Sequence, residues 1–257
     1  MEKKYIIFMN VRIDIFTKKE ILEKIDKFIK SKNYHYQISL NVAKLVYAQR
    51  DVKLSRIINE SDLVTVDGLP IYLITSKISK NRLERMGGLD FMNNLAKIRP
   101  EYRYYFLGAE QKVLEKVVIY YKKRYNMNVV GCRNGYYKKD EINDLINAIN
   151  KSKADILFIA MGTSKKEHLL YDFKDKLKVK FAVGVGGAFD IIAGKTKRAP
   201  KWIQNIGLEW FFRMAQEPKR MWKRYFITNT LFFYYLFKMI FTSRLCIFRD
   251  KNATHSD

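Results

Sequence analysis

Six times along this chain a short apolar run ends in Gly or a polar residue and gives way to a longer stretch with helical spacing. "HYQISLN" (35–41) leads into "VAKLVYAQR", "DLVTVDG" (62–68) into "LPIYLITSKI", and "YRYYFLGA" (102–109) into "EQKVLEKVVIYYKKRY". "NVVGCRNGYY" (128–137) precedes "KDEINDLINAINKS", "ADILFIAMG" (154–162) precedes "TSKKEHLLYDFKDKL", and "KFAVGVGG" (180–187) precedes "AFDIIAGK". Runs without polar alternation suit strands covered on both faces, and the intervening helices supply the cover. The alternation therefore predicts an α/β fold: a Rossmann-like, mostly parallel sheet with helices on both faces. In such sheets ligands bind beyond the carboxyl ends of the strands. That singles out Ser39 and Asn41, Asp67 and Gly68, Gly108, Gly162 to Glu167, and Gly184 to Asp190.

After Gly194 the strand pattern stops. The rest is helical and aromatic up to a polar end, "RDKNATHSD", which predicts a catalytic core over 1–194 and a basic, aromatic helical appendage over 195–257. With 257 residues, 48% of them hydrophobic, the chain has material for a substantial core. Its net charge of +23 selects polyanionic partners: nucleic acid, anionic lipid or phosphorylated substrates. The charge is concentrated. Residues 195–224 hold nine Lys/Arg against Glu209 and Glu217, a net +7 in 30 residues, leaving +16 for the other 227. The segment 226–241, "FITNTLFFYYLFKMIF", contains Lys238 and falls short of the roughly 20 residues of a spanning helix. It reads either as a core-packed helix or as one lying in a membrane interface.

Cys132 and Cys246 are the two cysteines. They form neither a disulfide framework nor a CxxC zinc pair, which points to a reducing cytosol. The N-terminal apolar patch is broken by Asn10, Arg12 and Asp14, so it reads as strands and not as a signal peptide. His35, His168 and His255 are isolated and no D-x-D pair occurs; a catalytic metal is not expected, nor any cofactor. "GVGGAFD" has Phe189 where a dinucleotide fingerprint needs its third glycine, which disfavours a nicotinamide enzyme. Gly186 and Gly187 suit a close backbone approach to a ligand, or a simple tight turn.

Asp67, at the end of its apolar run, could take a proton from a bound hydroxyl or cap the next helix. Arg85 beside two glycines, and Lys165 and Lys166 at a helix start, could cradle a diphosphate or be solvated surface charge.

Together these blocks resemble the WecG/TagA/CpsF family of bacterial glycosyltransferases. The resemblance is carried by "ISLN" (38–41), "TVDG" (65–68), "RMGGLDFM" (85–92), "FLGA" (106–109), "FIAMGTSKKE" (158–167), "GVGGAFDIIAGKTKRAPKW" (184–202) and "LEWFFRMAQEPKRMWKRY" (208–225). It implies inverting, metal-independent transfer of a sugar, of N-acetylmannosamine type, from a UDP-sugar donor to polyprenyl-diphosphate-linked N-acetylglucosamine. That reaction belongs to the inner face of the cytoplasmic membrane, in the synthesis of cell-surface polysaccharide or teichoic acid.

Carried over by motif, Asp67 is the general base and Ser39 takes the hydroxyl position where Thr is usual. The donor would meet Asn41, Arg85, Gly108, Gly162, Lys166, Glu167, Gly186, Gly187 and Asp190. The acceptor diphosphate and an anionic membrane surface would meet Arg198, Arg213, Arg220 and Arg224. The chain departs from the family's G-x-P-K-Q-E block: Gly162 is followed by Thr163, Ser164, Lys165, Lys166 and Glu167, without the Pro or the Gln, which opens the way to a different donor sugar. A competing reading is a basic nucleic-acid-binding module, on +23 and on Trp202, Trp210 and Trp222 among the basic residues. Against it, the charge gathers at one end of an enzyme-like chain, and no nucleic-acid partner is expected. Homo-oligomerisation is left open.

Overall fold

The computed structural model describes residues 5–80 and 83–241, and the backbone of 247–249. Cys246, His255 and most of the polar end lie outside the described residues.

In chain order the elements are β1 (Tyr5–Phe8), β2 (Val11–Asp14), α1 (Lys18–Ser31), β3 (His35–Leu40), α2 (Val42–Ala48), α3 (Val52–Glu60), β4 (Leu63–Val66), α4 (Leu69–Ile78) and α5 (Gly88–Ile98). There follow β5 (Tyr104–Gly108), α6 (Gln111–Tyr125), β6 (Val129–Arg133), α7 (Ile142–Lys151), β7 (Ile156–Ala160), α8 (Lys165–Asp172), β8 (Phe181–Gly184) and α9 (Ala188–Ile192). The chain continues through α10 (Lys201–Asn205), α11 (Glu209–Gln216), α12 (Pro218–Phe241) and β9 (Ile247–Arg249).

Six of these strands form an all-parallel sheet in the order β4-β3-β8-β7-β5-β6, with helices around it. All six apolar runs singled out in the sequence are strands of this sheet. The central strands "YYFLG" and "ILFIA" are buried along their whole length, as covered parallel strands must be. A second, antiparallel sheet runs β2-β1-β9. Its third strand corrects the expectation that strands end at Gly194.

By contacts the chain divides into two compact units. One comprises Met1–Glu20, Leu40–Met86 and Arg198–Asp257; the other comprises Ile21–Ser39 and Gly87–Lys197.

In the second unit, the Phe106 ring packs edge-on against Tyr121 of α6 at 5.8 Å and at a tilt against Phe158 at 5.8 Å and Phe189 of α9 at 5.6 Å. Burying each such ring is worth roughly 2–3 kcal/mol. Tyr121 keeps its hydroxyl satisfied by donating to Asn93 Oδ1 at 2.9 Å, so the ring can be buried without stranding a polar group. α6 offers the inward stripe Val113, Leu114, Val117 and Tyr121 and ends on Asn126 in the left-handed region, a common helix stop. At the amino ends of the strands, Asp155 accepts from Arg103 N at 3.0 Å, from Arg103 Nη2 at 3.0 Å and from Lys180 Nζ at 2.9 Å. Burial pushes its carboxyl up, but the hydrogen bonds from Arg103 and Lys180 outweigh this and hold the pKa at about 2.

In the first unit, α12 turns Met221, Thr228 and Phe232 inward and lies along α2, where Arg50 Nε donates to Tyr235 Oη at 3.4 Å. On the other side of the helix Trp222, Phe226, Phe233, Phe237 and Ile240 are exposed; their spacing of 4, 7, 4 and 3 sets them along one stripe. The helix thus has two apolar faces. Among the described residues no helix is long and apolar enough to cross a membrane.

Candidate active site

In the first unit, the ends of β3 and β4 are joined by the backbone: Leu40 O accepts from Asp67 N at 2.9 Å. Asn41 follows Leu40 and caps α2, its Oδ1 accepting from Lys44 N at 3.0 Å. A Cβ on Gly68 would stand 3.5 Å from Asn41 Cα, so the two turns sit side by side. The N-cap of α4 is Gly68, with Pro70 in its first turn. Asp67 therefore lies one residue before the cap, and the capping role is not the one the fold assigns it.

Arg85 joins the same cluster through a parallel bridge to Val66, with Met86 N donating to Val66 O at 2.9 Å. Its extended segment is held from the other side by Glu84, whose N–H donates to Phe16 O at 3.2 Å and whose Oε2 accepts from Lys18 N at 2.5 Å. Asn41, Asp67 and Arg85 are thereby brought together, each partly exposed. A half-buried carboxylate can accept a proton, and a guanidinium on the neighbouring segment can balance a developing anion.

The basic tail reaches this neighbourhood within the same unit. A Cβ on Gly207, in the turn between α10 and α11, would come 2.6 Å from Leu69 Cδ2, two residues after Asp67. Of the four arginines expected at the acceptor, Arg198, Arg213 and Arg224 are partly buried and Arg220 is exposed. Arg220 donates to Glu217 Oε2 at 2.5 Å, so the helix-stabilising pair is present for that residue. The Nε atoms of Arg213 and Arg224 are buried without a hydrogen-bond partner among the described residues. Arg224 lies 4.9 Å from the Tyr225 ring centroid, and that ring packs on Trp210 at 5.6 Å.

In the second unit, Ser39 is buried at the end of β3. Gly108 ends β5 with φ +122°, where a side chain would be strained and its Cβ would collide with the Ala160 carbonyl at the end of β7. Only glycine fits. Gly162 and Gly186 instead face open space, and Gly187 is the N-cap of α9. Chain approaches chain closely at Gly108 and at Gly88, whose Cβ would lie 2.5 Å from Val185 O. Asp190 stands in the first turn of α9, and its carbonyl accepts from Lys195 N at 2.8 Å and Thr196 N at 3.2 Å. Lys195 in turn donates to Glu110 at 2.7 Å, which raises its pKa.

α8 begins at Lys165, as the sequence suggests, but its lysines part company. Lys165 is exposed, whereas Lys166 is 4% exposed and Glu167 0%. Lys166 Nζ stands 3.0 Å from Glu167 Oε1. The solvated reading thus holds for Lys165 alone. His168 lies on the helix flank, 3.7 Å from Asp172. Among the described residues no three His, Cys, Asp or Glu gather to hold a metal ion.

Sequence reasoning did not single out Gly88, Leu69 or the exposed stripe of α12. The stripe had a signal in its helical spacing; the other two are contacts between residues far apart in the chain.

The family model described as "Glycosyl transferase WecG/TagA/CpsF family" matches residues 6–245 of the 257. The match takes in both units and the basic tail. The chain therefore belongs to the WecG/TagA/CpsF family of glycosyltransferases, which act in the synthesis of cell-surface polysaccharide.

Proposed function

We infer that the protein moves a sugar of N-acetylmannosamine type from a UDP-sugar to polyprenyl-diphosphate-linked N-acetylglucosamine, with inversion and without a metal. The observation that carries this reading is the cluster of Asp67, Arg85 and Asn41 held by backbone bonds at the ends of β3 and β4. Asp67 takes the proton of the acceptor hydroxyl as that oxygen bonds to the anomeric carbon. The bond from this carbon to the diphosphate breaks, and its electron pair leaves on UDP. Arg85 offsets the charge that develops on the departing diphosphate, the part a divalent cation plays in other designs. Ser39 is assigned to catalysis with Asp67, and Gly108, Gly162, Lys166, Glu167, Gly186, Gly187 and Asp190 are assigned with Asn41 and Arg85 to the donor.

Residues 195–257 serve as the appendage for acceptor and membrane contact. Arg198, Arg213, Arg220 and Arg224 supply the positive charge for the lipid diphosphate, and the α12 stripe Trp222, Phe226, Phe233, Phe237 and Ile240 enters the interface of an anionic bilayer. The protein then works on the cytoplasmic face of the membrane, attached peripherally. A donor screen tests this reading: a soluble prenyl-diphosphate-N-acetylglucosamine analogue, a panel of UDP-sugars, and released UDP as readout. Release that depends on both the acceptor and one of the donors is expected; none with any donor would contradict it.

A further inference from the structure

The carboxyl end of α2, one side of α3 and the turn between β1 and β2 enclose a cleft of about 310 Å³, all within the first unit. Its polar walls are Asn10, Gln49, Ser55, Arg56 and Asn59, and among the described residues no Asp or Glu lines it. Two side-chain amides fix these walls. Gln49 Nε2 donates to Met9 O at 2.8 Å, while Asn59 Nδ2 donates to Asn10 O at 3.0 Å and Asn59 Oδ1 accepts from Arg12 N at 2.8 Å. They hold Met9 and Asn10 in the left-handed region, at φ 47° and 59°, where a side chain as bulky as Met is rare. The cleft is thus built before any ligand arrives.

Two of its groups are left over. Among the described residues, the Ser55 hydroxyl and the exposed Arg56 guanidinium have no hydrogen-bond or ion-pair partner. Asp51, at the start of the same helix, is occupied as its cap, Oδ1 accepting from Leu54 N at 2.9 Å. The cleft therefore offers hydrogen-bond donors and a positive charge with no carboxylate to answer them. A planar guanidinium fork beside a hydroxyl suits the oxygens of a phosphate. The surroundings narrow the source of that phosphate. Gln49 is followed by Arg50, which donates to Tyr235 of α12 at 3.4 Å. Phe233 and Phe237, two residues to either side of Tyr235, are exposed, and so is Val52 on the rim of the cleft.

We propose that this cleft binds a phosphate ester, with Arg56 and Ser55 as its donors, and that the ester is the headgroup of an anionic phospholipid in the bilayer that α12 meets. The site rests on the cleft alone; the lipid as source rests on the interfacial reading of α12. A seated headgroup adds recognition of lipid charge to the apolar contact of the α12 stripe.

The experiment compares the full-length wild type with Arg56→Gln, Ser55→Ala and, as control, Lys53→Gln, which removes the same charge from the same helix without touching the cleft. Flotation measures partition onto phosphatidylcholine vesicles with and without phosphatidylglycerol, and calorimetry measures Kd for glycerol 1-phosphate and for inorganic phosphate. All three variants should keep the wild-type Tm within a few degrees and the wild-type turnover on the soluble acceptor analogue. Arg56→Gln is expected to lower partition onto phosphatidylglycerol vesicles about fivefold, the effect of one basic contact at an anionic surface, and Ser55→Ala about threefold, the effect of one hydrogen bond. Lys53→Gln should stay within twofold. Binding of glycerol 1-phosphate or inorganic phosphate that depends on Arg56, with vesicle partition unaffected, would keep the site and make its ligand a soluble phosphate. Equal loss in Lys53→Gln and Arg56→Gln, with Ser55→Ala unchanged, would overturn the proposal and leave only general surface charge. No dependence on Arg56 for vesicles or for either soluble phosphate would overturn it as well. A wild type that transfers no sugar would fail the glycosyl-transfer reading, while these partition and Kd ratios still decide this one.

Discussion

Arg85 lies opposite Val66 in a single parallel bridge, and Val66 is the residue before Asp67. The bridge therefore sets side by side the backbone segments that carry the cation and the carboxylate. Such preorganisation is what makes charge stabilisation effective in a transfer reaction.

One consequence concerns metal. With Arg85 and the tail arginines assigned to the two diphosphates, transfer is expected to persist in EDTA at the rate measured without it. Loss of UDP release in chelator, restored by Mg²⁺ or Mn²⁺, would show that a cation and not Arg85 meets the leaving group.

The tail arginines make a separable prediction. Replacing Arg213, Arg220 and Arg224 with Ala should lower transfer at least tenfold while Kd for UDP changes less than threefold. Arg220 is the control within the set, because it already has Glu217 as a partner; alone, its replacement should matter least. A triple variant with lower Tm but unchanged turnover per folded molecule would make these arginines structural.

The two faces of α12 should respond differently. Phe232 is 2% exposed, and Phe232→Ala should cost about 3–5 kcal/mol of stability. Ser at Phe226, Phe233 and Phe237, which are 56–68% exposed, should leave the urea midpoint nearly unchanged yet release the protein from anionic vesicles in a flotation assay. Retained flotation would remove the interfacial role from this stripe.

Much of this architecture is legible in the sequence, and the exceptions share a cause. The six parallel strands announce themselves because strands covered on both faces must be apolar throughout, as "ILFIA" is. β9 is missed because three residues carry no periodicity and its pairing with β1 is set by a partner more than 200 positions away. A helix with two apolar faces leaves the choice between core and interface open; α12 buries Met221, Thr228 and Phe232 and leaves its other apolar face exposed. Asp67 and Arg85 are legible as candidates from their places after an apolar run and beside glycines. Their adjacency is not, because it depends on the bridge at Val66. The burial of Lys166 is likewise invisible, since it depends on Gly184, where any Cβ would meet the lysine stem.

Asp155 gives a prediction about acid. Its folded pKa of about 2 lies below the ordinary value of 3.8, so the unfolded chain binds the proton more readily. Its contribution to stability is present above about pH 4 and is lost as the pH falls through about 2. Asp155→Asn should cost about 1–3 kcal/mol at pH 7 and flatten the pH dependence of urea unfolding between pH 4 and 2. An unchanged acid limb would show that the Arg103 and Lys180 contacts do not hold the carboxylate in solution.

The most direct test of the central claim is the transfer rate of Asp67→Asn with the soluble acceptor analogue and the best UDP-sugar from the donor screen. Asn nearly matches Asp in size, and the N-cap of α4 is Gly68, so Tm should stay close to wild type. Turnover should fall by about two to four orders of magnitude, the usual range for a lost general base, with Kd for UDP little changed. Turnover within threefold of wild type would contradict it.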